Sequence, residues 1–116
     1  MRELVVSIAA QAEIDDILWF SETRHGSEAA RRYRLLLNRA FSDLLHDPAP
    51  PTSRSDEVGD LRLYSLQIVA RRLKAGDVVK APPHVVVYRF DDSLVEIVRV
   101  LHAAMDLPQQ LADMGG

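Results

Sequence analysis

The chain has 116 residues, enough for one hydrophobic core and too few for two comfortable ones, so a single domain spanning 1–116 is expected. It contains no cysteine, which excludes disulfides, thiolate catalysis and cysteine-based zinc sites. A net charge of −3 argues against sequence-specific or sequence-blind nucleic-acid binding, where release of counterions by many Lys and Arg supplies the affinity.

The start "MRELVVSIAA" carries charges at positions 2 and 3 and has too short an apolar part for a signal peptide. No apolar run approaches the roughly 20 residues of a membrane span, so a soluble, cytoplasmic protein without membrane contact is expected. "ELVVSI" (3–8) reads as a short β-strand. In "AAQAEIDDILWFSETRHG" the period changes, and Ala10, Ile14, Ile17, Leu18 and Ser21 fall on one helical stripe. Gly26 is a natural C-cap, and Ser27 offers a hydroxyl to start a second helix. That helix, "EAARRYRLLLNRAFSDLLHD", repeats Tyr33, Leu36, Leu37, Ala40, Phe41, Leu44 and Leu45 at three and four. The prolines of "DPAPPTSRS" stop it. With so short a joint, the two helices should form an antiparallel hairpin.

The second half reads as β: "LRLYSL" (61–66), then "HVVVYRF" (84–90), a "DDS" turn, and "LVEIVRVLH" (94–102) pairing back. Residues 67–83 carry no clear period, and 106–114 suggest a short final helix or tail. The expected fold class is α+β, ordered β-α-α-β-β-β, with the helical hairpin on one face of a mostly antiparallel sheet. Strict alternation along the last strand turns Val95, Ile97 and Leu101 one way and Leu94, Val98 and Val100 the other. Both faces would be apolar, and a bare apolar face signals a partner.

Several constellations invite chemistry. His102 and Asp106 stand four apart, but His102 ends a strand, so helical spacing does not align them for acid/base work. His25, His46, His84 and His102 show no metal-ligand spacing, so neither a metal nor a cofactor is expected. "EIDD" (13–16) reads as carboxylates favoured at a helix start, by a few tenths to about 1 kcal/mol each. Arg71, Arg72, Lys74 and Lys80 form the densest basic stretch, and Arg89 and Arg99 project from the final hairpin, with Tyr64 and Tyr88 between. They form either a phosphate-facing patch, a surface for an acidic chain or a solvated loop.

"HVVVYRF", a turn and "LVEIVRVLHAAMDL" resemble the closing hairpin of ParE-type toxins of the RelE/ParE superfamily. The resemblance is carried by Tyr88, Arg89, Val95, Glu96, Ile97, Arg99, Val100, Leu101, His102, Met105 and Asp106, and more loosely by Ile17, Gly26, Ala29, Ala30 and Tyr33. It implies the toxin of a type II toxin–antitoxin module, neutralised by a cognate antitoxin, for which the face of Leu94, Val98 and Val100 would serve. ParE-like members inhibit DNA gyrase by binding, whereas RelE-like members cleave mRNA in the ribosome. The tail "MDLPQQLADMGG" has no Tyr, Lys or Arg, and His84 stands where a RelE-like enzyme more often carries Arg. Gyrase binding is therefore expected rather than catalysis, with Arg71, Arg72, Lys74, Arg89, Arg99, His102, Met105 and Asp106 as candidate target contacts. The alternatives are a ribosome-dependent endoribonuclease using His84, Arg89 and His102, or a non-toxic interaction domain of the same fold.

Overall fold

The structure is a computed structural model that describes residues 2–55, 60–73, 79, 82–103 and 109. Its elements are β1 (Glu3–Val6), α1 (Ile8–His25), α2 (Ser27–His46), β2 (Arg54–Ser55), β3 (Arg62–Ser65), α3 (Leu66–Ala70), β4 (His84–Phe90) and β5 (Leu94–His102). The strands form one sheet in the order β1-β5-β4-β3-β2, with β1 parallel to β5 and the other pairs antiparallel. The expected α+β order is present, with a two-residue β2 and the short α3 added to it. Lys74, Lys80, Met105, Asp106 and, apart from Gln109, the expected final helix lie outside the described residues.

Ser7 turns the chain from β1 into α1. Its backbone N–H donates to the Ile97 carbonyl at 2.9 Å, extending the parallel ladder by one bond. Its hydroxyl accepts from Ala10 N and donates to the Val98 carbonyl at 2.7 Å. One side chain thus satisfies an orphan donor of the first helical turn and fastens the helix to β5. Because the helix begins at Ile8, the acids 13–16 stand beyond its first turn, and the expected macrodipole role does not apply.

Gly26 is the whole joint between the two helices, with φ at +92° and ψ at 170°. Its N–H closes α1 on the Glu22 carbonyl, and its own carbonyl accepts from Ala30 N in α2. Ser27 is already helical and makes no cap bond, so Gly26 takes the role expected of it. A Cβ here would meet nothing within 4 Å, so substitution costs backbone strain alone. Gly26→Ala should lower stability by about 1–2 kcal/mol, read as a shifted denaturant midpoint at unchanged m-value. A loss under about 0.3 kcal/mol would mean that the joint relaxes into another conformation.

The main core lies between the helical hairpin and the sheet. Ala10, Ile14 and Leu18 of α1 and Tyr33, Leu36, Leu37, Ala40, Phe41 and Leu44 of α2 meet Val86, Tyr88, Val95, Ile97 and Val100. Tyr88 is fully buried, and its hydroxyl donates to the Pro48 carbonyl at 2.7 Å, pinning the proline-rich loop to the sheet.

Strict alternation fails in β5. The register runs from Val87 opposite Arg99 to Tyr88 opposite Ile97, which leaves Val98 as the extra residue of a bulge. Beyond it the faces exchange. Val100, expected on the outer face, is 3% exposed in the helix-side core, while Leu101 joins Val98 on the opposite face. That second face is not bare either: Leu61, Leu63, Val85, Val87 and Leu101 are all buried and form their own cluster.

Candidate functional site

The same bulge builds a polar cluster at one end of the sheet. Glu13 of α1 reaches β5, where one carboxylate oxygen accepts from Arg99 Nε and Nη2 at 2.9 and 2.7 Å and the other accepts from Val100 N at 2.9 Å. β1 pairs with β5 only as far as Val6 and Ile97, so Glu13 supplies the acceptor that the ladder no longer offers. The carboxylate raises the Arg99 pKa through that hydrogen bond.

His84 opens β4 directly opposite His102 at the end of β5, with ring centroids 5.4 Å apart. Tyr33 of α2 completes the group, its hydroxyl 2.5 Å from His84 Nδ1. Burial raises the Tyr33 pKa, so the hydroxyl keeps its proton. Burial also pulls His84 down to about 4, with help from the positive form of His102 and opposition from Glu13. An imidazole whose folded pKa lies below its ordinary 6.5 stabilises the fold above pH 6.5. That contribution is lost as pH falls towards 4, because the unfolded chain then binds the proton more readily. The Tm should therefore fall between pH 7.5 and pH 5.5 (about one pH unit either side of the free histidine value), and His84→Gln should flatten the change. Equal pH dependence in both proteins would remove His84 as the cause.

Among the described residues, Arg89 does not converge on these histidines. Arg89 lies five residues from His84 along β4, about 16 Å away, and is paired with Glu96 at 2.6 Å. Arg72 Nη2 is held by Asp43 at 2.6 Å and by the Tyr64 hydroxyl at 2.7 Å. Arg71 is exposed on the rim of an open cleft lined by Pro50, Pro51, Tyr64 and Ile68. Three of the expected target contacts (Arg72, Arg89 and Arg99) are thus engaged with carboxylates on their own surface. His84, Arg89 and His102, the trio required for the nuclease, do not form one constellation. Among the described residues no group of three or more His, Cys, Asp or Glu is placed to hold a metal ion.

The exposed apolar surface lies elsewhere. Ile8 is 92% exposed, Trp19 69% and Phe20 52%, all on α1. At 100° per residue Ile8, Ala12 and Trp19 form one line and Ala9 and Phe20 the next, with the exposed Asp15 and Asp16 among them. The Arg24 guanidinium lies over the Phe20 ring, 5.3 Å from its centroid. Of the residues expected to form the partner face, Val100 is buried, while Leu94 and Val98 are half-buried. Sequence reasoning passed over Trp19 and Phe20 because it followed only the inward stripe. Their signal was present: the apolar residues of α1 go round the whole helix, whereas those of α2 keep to one side.

No helix among the described residues is long and apolar enough to cross a membrane. Residues 4–107 match the family model for the ParE toxin of the type II toxin–antitoxin system parDE. No curated protein matches the chain. A solved structure titled the chromosomal ParDE TA system from P. aeruginosa is similar at a TM-score of 0.67 and 18% identity, covering 88% of this chain and 96% of that one. The structural similarity speaks for the fold, and the family match over nearly the whole chain carries the assignment: the protein belongs to the ParE toxin family of type II toxin–antitoxin systems.

Proposed function

We propose that the protein is a cytoplasmic toxin that inhibits DNA gyrase by binding, without catalysis, and causes growth arrest that a cognate antitoxin relieves. The observation that carries the non-catalytic part is the separation of Arg89 from the two histidines. RNA cleavage needs a base for the 2′-hydroxyl and cations for the phosphorane charge within one site. Here Arg89 is paired with Glu96 at the far end of β4, and Arg99 is held by Glu13.

The antitoxin seats on the outer surface of α1. Family membership supplies the partner, and the exposed Ile8, Trp19 and Phe20 supply the apolar contact it needs. Asp15 and Asp16 between them call for basic residues on the antitoxin segment. The outer sheet face, first expected in this role, is a weaker candidate because its large side chains are already buried.

Induction of the protein in a bacterial host tests the reading. Growth should stop, resume when the antitoxin is co-expressed, and stop equally with Arg89→Ala or His102→Ala. Loss of arrest in either variant at normal protein levels, with gyrase inhibition retained by the purified variant, would return the weight to RNA cleavage, whereas loss of both would make that residue a gyrase contact. Unimpaired growth with the wild type would leave a non-toxic interaction domain.

A further inference from the structure

The two histidines at the end of the sheet come from positions 18 residues apart and meet only through the β4–β5 register. Their ring centroids are 5.4 Å apart, with planes at 78°. In a tetrahedral zinc site the metal–nitrogen distance is about 2.0–2.1 Å, and the ring centroid lies about 1.2 Å beyond the nitrogen, which places two centroids about 5.2 Å apart. We propose that His84 and His102 form a two-histidine chelate for a divalent transition-metal ion such as Zn²⁺, with water completing its coordination.

The surroundings supply what such ligands need. A metal-bound imidazole generally engages its other ring nitrogen with a fixed partner, which sets the tautomer. Tyr33 is buried, and its hydroxyl stands against His84 Nδ1. With Nδ1–H donating to the tyrosine oxygen, the Nε2 lone pair is left for the metal. His102 is exposed, so a hydrated ion can reach the pair from solvent. The bound ion would fasten the start of β4 to the end of β5, where Ala103 N also donates to the Pro83 carbonyl at 2.7 Å.

Titration of the full chain with ZnCl₂ near neutral pH, followed by calorimetry, tests this. One saturable site with a micromolar Kd is expected, with Tm rising by about 5 °C at tenfold excess over Kd. His102→Asn, at an exposed position, should keep the metal-free Tm and weaken binding at least about tenfold, and Tyr33→Phe should weaken it by about the same factor. Replacing His25 and His46 together by asparagine should leave the affinity unchanged. No saturable binding up to about 1 mM ZnCl₂, affinity retained in His102→Asn, or affinity lost with His25 and His46 would each overturn the proposal.

Discussion

Glu13→Ala should cost about 2–4 kcal/mol of stability, the largest loss expected from a single polar substitution among the described residues. The carboxylate accepts three hydrogen bonds, two from Arg99 and one from the backbone of Val100, at a site where both charged side chains are about three-quarters covered. Removing it leaves a cation and a backbone donor without their acceptor at the bulge, next to Val100 in the helix-side core. For a chain of this size the loss corresponds to a Tm lowered by about 8–16 °C. Glu13→Gln keeps a carbonyl for one donor and should lose less. An alanine variant within about 0.5 kcal/mol of the wild type would show that the bulge is held by Ser7 and core packing alone.

Trp19→Ala should weaken antitoxin binding by about 30- to 1,000-fold, equivalent to roughly 2–4 kcal/mol, the range of an aromatic anchor at the centre of an interface. Because Trp19 is 69% exposed in the free protein, the Tm without antitoxin should change little. Those two readouts separate a docking residue from a core residue. Val100→Ala should behave in the opposite way, lowering the Tm through cavity formation in the core. Calorimetric titration of each variant with antitoxin checks both. Unchanged affinity in Trp19→Ala would move the docking surface off α1 and make the half-buried Leu94 and Val98 the next residues to replace.

The parts of the fold legible in the sequence were those where one periodicity dominates. α2 keeps its apolar residues on one side, and β4 and β5 are rich in valine, isoleucine and aromatic or leucine side chains and are joined by "DDS". The bulge at Val98 was hidden because both faces of β5 are apolar, so a one-residue slip leaves no mark on the pattern. α3 was missed because "LQIVA" is only five residues long and rich in residues that also suit a strand. Glu13 was assigned to the helix dipole, since its bonds to Arg99 and Val100 depend on a contact 86 or 87 residues away. The meeting of Tyr33, His84 and His102 required both the sheet register and the placement of α2. No local spacing encodes it.

Gyrase-catalysed supercoiling, with the purified protein titrated in and then titrated again with antitoxin present, tests the central claim most directly. The account predicts inhibition by the free protein, relief by the antitoxin, and poor relief when Trp19 is alanine. Undiminished supercoiling at micromolar protein that arrests growth would contradict it, and the arrested cells' mRNA would become the substrate to examine.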